Sequence, residues 1–251
     1  MIMAKRVMFH RYTGIEKQTR SFFTFLLDLF FPPRCVSCKT IGKQICATCT
    51  AAIPWIDTGY CKDCGLPQPG DRSHVCIDSS SLSFIRSAAV FSGAMRKALH
   101  ALKYRSDRTL ASELVRLANR HWILPTWDFD SLIPVPLGRL RERVRGYNQS
   151  LLLADAISQS VGIPVDRSVL SRIRETQTQV GLSSGARKLN VAAAFQASSI
   201  KGKKVLLVDD VCTTGATLQS CADALTRAGA GRIGALTLAR AVLPDIRRKA
   251  S

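Results

Sequence analysis

The stretch Val205–Leu218 has the sequence Val-Leu-Leu-Val-Asp-Asp-Val-Cys-Thr-Thr-Gly-Ala-Thr-Leu. Its start, Lys204–Val208, is apolar without alternation, which is typical of a central parallel strand covered on both faces. Ligands of open α/β sheets bind beyond the carboxyl ends of such strands. We therefore predict a strand that ends at Asp209 and Asp210, with a ligand site beside the two acids.

The loop after the acids is suited to an anion. Its small or hydroxylated residues are Thr213, Thr214, Gly215, Ala216 and Thr217. Small side chains let backbone N–H groups approach a phosphate, and a glycine accepts positive φ. A helix predicted from about Ala216 to Ala228, with Gly229 as its stop, points its positive end at the same place. The loop is thus predicted to bind a phosphate, and the acids to bind ribose hydroxyls and Mg²⁺, directly or through water.

Three other interpretations compete for this stretch. A Walker B strand requires an upstream Gly-x4-Gly-Lys-Ser/Thr loop, which the sequence lacks. A receiver domain also opens with a strand and paired acids, but too few residues follow Val211 to complete that fold. An ordinary strand, turn and helix with an exposed acidic turn is the third interpretation. The length and order of the match favour the sugar-phosphate site.

The same stretch closely resembles the 5-phosphoribosyl-1-pyrophosphate (PRPP) motif of type I phosphoribosyltransferases. The resemblance implies that Asp209 and Asp210 contact the ribose hydroxyls and that Thr213–Thr217 binds the 5′-phosphate.

The composition is that of a basic globular chain of 251 residues, with 46% hydrophobic residues and a net charge of +18. Such a charge favours an anionic partner, either PRPP or nucleic acid, although a basic solvated surface explains it equally well. Aromatic residues make up only 7% of the chain, so an extended base-stacking platform is not evident.

The apolar run Ser21–Phe31 follows a basic start and raises the question of a signal peptide. Asp28 interrupts the run, no Ala-x-Ala site follows, and the run is too short to span a bilayer. We expect an amphipathic helix that packs on the body, with a targeting or membrane-surface role as the alternative. A cytoplasmic protein without stable membrane insertion is predicted.

Seven of the nine cysteines lie between Cys35 and Cys76. In a reducing cytoplasm, Cys-x2-Cys pairs indicate metal binding rather than disulfides, and two pairs complete a tetrahedral Zn²⁺ site. The first site is assigned to Cys35, Cys38, Cys46 and Cys49. An exchanged pairing, in which Cys61 and Cys64 join the first pair, remains open.

A second site has three thiols, from Cys61, Cys64 and Cys76. A fourth cysteine is expected at position 79, where Ser79 stands. Either His74 substitutes for it, or the site is degenerate and empty. Both sites are expected to be structural, because a thiolate site replaces a hydrophobic core in a segment too small to have one.

The remaining sequence predicts alternating strands and helices, and hence an α/β domain with a largely parallel sheet. The predicted strands are Ser83–Phe91, Ser131–Leu137, Ser168–Arg172 and Arg232–Ala239. The predicted helices are Gly93–Leu102, Thr109–Trp122 and Tyr147–Val161.

Four short clusters, together with the cysteine pairs, extend the resemblance. They are Ala101–Tyr104, Pro134–Pro136 with Arg145–Gln149, Thr176–Gln179, and Arg187–Asn190 leading to Ala194 and Phe195. In this order they resemble the ComF/ComFC family of competence-associated phosphoribosyltransferase-like proteins, from about Phe30 to Ala239. The family implies a type I phosphoribosyltransferase fold after a zinc-ribbon module. Expected segments are a basic amphipathic region 1–31, a cysteine-rich module 32–82, the phosphoribosyltransferase-like domain 83–243 and a basic tail 244–251.

Family analogy also places a pyrophosphate-binding loop at Lys103 and Tyr104, although Lys103 as a plain surface lysine is the alternative. The cluster after the second strand offers a cation, a ring and two amides: Arg145, Tyr147, Asn148 and Gln149. These residues either recognise substrate, or Arg145 and Asn148 cap the following helix. The polar stretch Glu175–Asn190 is either a hood over the site or a surface loop.

Two functions follow from the resemblance. The first is an enzyme that binds PRPP with Mg²⁺ and transfers phosphoribosyl to an acceptor that the sequence does not identify. The second is a non-catalytic accessory protein that binds single-stranded DNA during natural transformation. The zinc module is a candidate docking site for a competence helicase or DNA-processing protein.

Overall fold

The computed structural model describes residues 32–67, 76, 81–104, 107–122, 127–174 and 194–242. Helices within these ranges are α1 (Ala47–Ala51), α2 (Gly93–Tyr104), α3 (Leu110–Ala118), α4 (Arg139–Arg145), α5 (Gln149–Val161) and α6 (Ala216–Arg227). Strands are β1 (Phe84–Val90), β2 (Ser131–Pro134), β3 (Leu170–Arg172), β4 (Phe195–Ala197), β5 (Lys204–Cys212) and β6 (Arg232–Arg240). A 3-10 turn at Asn119–His121 continues α3.

Four strands form a parallel sheet in the order β1-β6-β5-β2. The apolar residues of β5 alternate between two cores. Leu206 and Val208 pack in the core that contains buried residues of α2, α3 and α5, whereas Val205 and Leu207 pack in the core that contains α6. The predicted α/β fold, with a mainly parallel sheet covered on both faces, is confirmed.

The central strand is longer than the sequence predicts. It continues through both acids to Cys212 and pairs with β6 throughout, so that Asp209 lies opposite Thr237. On its other side, β2 ends at Pro134, opposite Val208. The prediction that the strand ends at the acids is therefore wrong. The acids lie within β5, at the point where one neighbouring strand has stopped and leaves a cleft.

Two other predicted strands differ in detail. The second ends at Pro134 rather than Leu137, because Pro136 has no N–H to donate to a ladder. The strand predicted at Ser168–Arg172 is present as β3, but it pairs with β4 in a separate antiparallel sheet.

The cysteine-rich segment covers the outer edge of β1. Ile85 donates its N–H to the carbonyl of Asp63 at 2.7 Å, and Ile56 donates to the carbonyl of Ala88 at 2.8 Å. These bonds satisfy backbone groups that an edge strand would otherwise expose. Accordingly, Arg34–Ser251 forms one compact unit.

Several expectations fall on residues that the structure does not describe: the helix at Ser21–Phe31, the hood at Glu175–Asn190 and the basic tail 244–251. The four segment boundaries stay predictions. Within the described ranges, no helix combines the length and apolarity needed to cross a membrane.

Candidate functional site

The first cysteine group forms a compact thiol cluster. Its ligand atoms, from Cys35, Cys38, Cys46 and Cys49, all lie within 4.8 Å of one another. The Sγ atoms of Cys38 and Cys46 are 3.5 Å apart, and the Cys49 N–H donates to Cys46 Sγ at 3.5 Å. Burial raises the pKa of Cys35, but backbone N–H groups of Cys38 and Cys46 outweigh it and lower the pKa to about 6. Against a hydrogen bond from Ser37 that lowers it, burial and the neighbouring thiols raise the pKa of Cys49 to about 12. Cys35 is therefore the thiol that most favours the thiolate form that binds zinc.

The second group, Cys61, Cys64 and Cys76, also has its thiols within 4.8 Å of one another. The Sγ atoms of Cys61 and Cys76 are 3.4 Å apart. His74, the candidate fourth ligand, lies outside the described residues. The structure therefore places four cysteines in the first cluster and three in the second, as the assignment of the two sites predicts. It does not show the exchanged pairing, in which Cys61 and Cys64 join the first pair.

The two acids of β5 occupy the cleft beyond β2 and meet the amino end of α5. Asp209 Oδ1 accepts hydrogen bonds from Ser150 Oγ at 2.8 Å and from the Asp210 N–H at 2.9 Å. Asp210 is buried; its Oδ1 accepts from Gln149 Nε2 at 3.3 Å, and its Oδ2 contacts the Lys103 ammonium. A lysine, an amide and a hydroxyl thus converge on the predicted carboxylates.

Burial, and then charge repulsion within the pair, disfavours the ionised form of Asp209. Burial and the adjacent Asp210 raise the pKa of Asp209 to about 7, against the hydrogen bond from Ser150 and the charge of Lys103, which lower it. Because an opposite charge favours the ionised form of a carboxyl group, this pair of acids is suited to a nearby cation.

The predicted phosphate loop connects β5 to α6. Thr213 and Thr214 are exposed, whereas Gly215 is buried and has φ of 79°, as the motif requires. The Ala216 N–H donates to Thr214 Oγ1 at 3.4 Å, and α6 begins at Ala216. A left-handed glycine at the amino end of a helix, where first-turn N–H groups lack partners in the preceding turn, is a geometry that binds anions.

The residues Arg145–Gln149 divide between two helices. Arg145 ends α4, and its guanidinium contacts Gln149 Oε1. Asn148 caps α5, since its side chain accepts from the Ser150 N–H at 3.0 Å. The prediction that Asn148 caps this helix is confirmed. The prediction that Arg145 also caps it is wrong, because Arg145 belongs to the preceding helix. Gln149 bridges Arg145 and Asp210.

The two tyrosines of the candidate site differ sharply. Tyr147 is 7% exposed, its hydroxyl donates to the Leu102 carbonyl, and Arg108 lies over its ring. This is a packing position, and its role in substrate recognition stays a prediction. Tyr104 is 66% exposed at the end of α2. The neighbouring Lys103 is turned inward to Asp210, so the surface-lysine alternative does not describe it.

Sequence reasoning missed Ser150, whose hydroxyl holds Asp209, and the basic helix α4. A serine in the first turn of a helix is common, so its residue type carried no signal. The helix has no buried residue, so it lacks the apolar stripe by which helices are recognised in sequence.

A parallel sheet with this acid pair and glycine-containing loop, joined to a cysteine-rich module, is the arrangement expected of a phosphoribosyltransferase-like protein with a zinc ribbon. The phosphoribosyl transferase domain family matches residues 148–248, and the double zinc ribbon domain family matches residues 26–79. Together with the two thiol clusters, the second match supports structural zinc.

Named relatives agree with this class. Competence protein F of Haemophilus influenzae is 34% identical over 84% of this chain and 99% of that protein. DNA utilization protein YhgH of Escherichia coli K12 is 31% identical over 78% of this chain and 90% of that protein. Competence protein ComFC of Bacillus subtilis is 27% identical over 79% of this chain and 85% of that protein. The chain belongs to the ComF/ComFC family.

Proposed function

We propose that this protein binds PRPP with Mg²⁺ and transfers the phosphoribosyl group to an acceptor, in the context of DNA uptake and utilisation. The observation that carries the proposal is that Lys103, the acid pair and the Gly215 loop meet at the carboxyl end of β5. The names of the relatives supply the DNA context.

The acid pair fits a magnesium ion. Asp210 Oδ2 is buried and ion-paired with the Lys103 ammonium, so this oxygen already faces a cation. Carboxylate oxygens are hard ligands of the kind Mg²⁺ takes, so the two acids would hold that ion once Lys103 turns to the pyrophosphate. When bound, Mg²⁺ would neutralise the pyrophosphate leaving group.

The chain's own residues supply binding and orientation. Asp209 and Asp210 hold the ribose hydroxyls, and residues 213–217 hold the 5′-phosphate through backbone N–H groups. Lys103 moves its charge from Asp210 to the pyrophosphate. The bond from C1 of ribose to pyrophosphate then breaks, its electron pair leaves with pyrophosphate, and the lone pair of the acceptor forms the new bond to C1. Fixed charges around the leaving group stabilise this transition state.

Calorimetric titration with PRPP and Mg²⁺ tests the site. We expect the double variant Asp209→Ala/Asp210→Ala to lose binding, while Asp128→Ala, which removes an exposed carboxylate, retains it. Binding that survives in the double variant would remove the acids from the site.

A non-catalytic role in binding single-stranded DNA is the second candidate, and the net charge of +18 favours it. Phosphate neutralisation makes nucleic-acid affinity fall steeply with salt. A flat salt dependence of oligonucleotide affinity would argue against this role. A cytoplasmic location and a helicase partner for the zinc module remain predictions from the sequence.

A further inference from the structure

The cation that faces the acid pair is Lys103, in the last turn of α2. Its ammonium is ion-paired with Asp210 Oδ2; the Lys103 side chain is 25% exposed and the Asp210 side chain only 6%. Across the described ranges, no other lysine or arginine lies within ion-pair distance of Asp209 or Asp210. The positive charge at this site is therefore supplied by the chain itself.

Neutral donors hold the two acids in place. Asp209 Oδ1 accepts from Ser150 Oγ at 2.8 Å and from the Asp210 N–H at 2.9 Å, and Asp210 Oδ1 accepts from Gln149 Nε2 at 3.3 Å. These bonds orient the carboxylates without adding a full charge. A divalent cation that approached Asp210 Oδ2 would have to displace the ammonium, because two positive charges repel each other at one oxygen.

Lys103 also borders a second environment. Together with Arg141 and Arg145, it lines a groove of about 390 Å³ beside the acid pair. A lysine carries its charge on a flexible four-carbon stem, so the ammonium can turn from Asp210 to an anion in this groove. The two arginines attract such an anion, and a pyrophosphate there would compete with Asp210 for the same ammonium.

We propose that Lys103 is a tethered counter-ion, which keeps Mg²⁺ off the acid pair until a pyrophosphate draws the ammonium away. The site then takes the metal only together with a sugar that carries pyrophosphate at C1, and it discriminates against free Mg²⁺ and against ribose 5-phosphate. Once pyrophosphate has left, the ammonium returns to Asp210 and the metal is released. The inference rests on the proposed function, because it states how that same site selects its ligand.

Electron paramagnetic resonance of Mn²⁺ tests the counter-ion in the zinc-loaded full chain without any sugar. Mn²⁺ takes the same carboxylate ligands as Mg²⁺. We expect Lys103→Met to bind Mn²⁺ at least about tenfold more tightly than the unmodified protein, because an ion pair formed about nine tenths of the time leaves about a tenth of the molecules competent. Lys103→Arg keeps the positive charge and should bind Mn²⁺ as weakly as the unmodified protein.

Two further variants locate the gained affinity. Lys103→Met/Asp210→Asn should lose it, since the metal would no longer find the paired carboxylates. Lys97→Met makes the same substitution at an exposed lysine of the same helix and should leave Mn²⁺ affinity unchanged.

The removal of one partner of a buried ion pair destabilises a fold. Thermal unfolding therefore accompanies each titration, and Mg²⁺ should raise the melting temperature of Lys103→Met but not that of the unmodified protein. If Lys103→Met does not fold, Lys103→Gln serves in its place, because its amide can donate to Asp210 without carrying a charge.

The selection of the sugar is tested with PRPP and ribose 5-phosphate, after subtraction of the Mn²⁺ that each sugar binds alone. PRPP should tighten Mn²⁺ binding to the unmodified protein by at least about fivefold, and ribose 5-phosphate should not. In Lys103→Met, PRPP should bind less tightly, because the ammonium is missing from the pyrophosphate.

Equal Mn²⁺ affinity of the folded Lys103 variants and the unmodified protein would overturn the inference. So would Mn²⁺ binding to the unmodified protein that is equally tight with and without PRPP, or an equal effect of the two sugars. Absence of PRPP binding in the unmodified protein removes the proposed function instead, and tighter Mn²⁺ binding by Lys103→Met would then still support Lys103 as the counter-ion of the acids.

Discussion

Burial and the neighbouring Asp210 raise the pKa of Asp209 from 3.8 to about 7. The pKa of Asp209 is higher in the folded protein than in the unfolded chain. The stability gained from keeping this carboxyl protonated is therefore fully present below about pH 4, and it is lost as the pH rises through about 7. We expect Asp209→Asn, which keeps an oxygen toward Ser150, to raise the free energy of unfolding at pH 8 by roughly 2 kcal/mol or more, given about 1.4 kcal/mol per pKa unit. The same variant should lose PRPP affinity.

Urea unfolding at pH 4 and pH 8 measures this difference. The gain should be large at pH 8 and small at pH 4. Asp128→Asn is the control, because Lys204 lowers the pKa of that exposed carboxyl and no gain is expected at either pH. An equal gain for Asp209→Asn at both pH values would contradict the raised pKa.

The buried hydroxyl of Ser150 donates to Asp209 Oδ1 at 2.8 Å. The hydrogen bond from Ser150 orients the Asp209 carboxylate and favours its charged form. Ser150→Ala removes this bond, so Asp209 should be held less firmly and its charged form should be less favoured. A hydrogen bond to a charged group contributes about 1.5–3 kcal/mol, so PRPP affinity should fall by at least about tenfold in calorimetry. Ser158→Ala, later on the same helix, should leave affinity unchanged, and an equal loss in both variants would indicate a general effect on α5.

At the scale of elements, Gly65 sets how closely the second cysteine knuckle approaches β1. It has φ of 65°, and a Cβ there would lie 2.4 Å from the carbonyl oxygen of Ile85. Gly65→Ala should therefore lower stability by well over the roughly 1 kcal/mol expected from positive φ alone. Gly162→Ala is the matched control, because its φ is 76° and nothing lies within 4 Å of the added carbon. Similar unfolding midpoints for the two variants in denaturant would show that the knuckle does not pack closely on β1.

The central strand and the cysteine clusters show how much of the structure the sequence predicts. The run Lys204–Val208 predicts a central strand correctly because burial on both faces requires continuous apolar residues. The end of that strand was missed because it depends on how far β6 continues beside it, and Thr237 opposite Asp209 is a long-range pairing. The Cys-x2-Cys spacing likewise predicts that Cys35 and Cys49 share one site, because the cysteines of that site lie close together in the sequence. Ser150 and Lys103 reach the acids only through packing of α5 and α2, which no local pattern encodes.

For the whole molecule, the cysteine-rich segment and the α/β body belong to one compact unit, Arg34–Ser251, in which backbone bonds from the segment complete the edge of β1. Structural zinc stabilises a fold by binding only its folded form. Metal removal should therefore expose the β1 edge and weaken the body as well as the thiol clusters.

We expect a zinc chelator to lower the melting temperature of the protein as a single transition in differential scanning calorimetry, with zinc content followed by atomic emission. Cys49→Ser, which disrupts only the four-thiol cluster, should lower the same transition before chelation and make it less sensitive to chelator afterwards. Cys221→Ser is the control, since that buried thiol lies in α6, outside both clusters; it should leave zinc content and chelator sensitivity unchanged. Two separate transitions, with the upper one unaffected by zinc removal, would show that the body folds independently of the module and that the edge of β1 needs no cover.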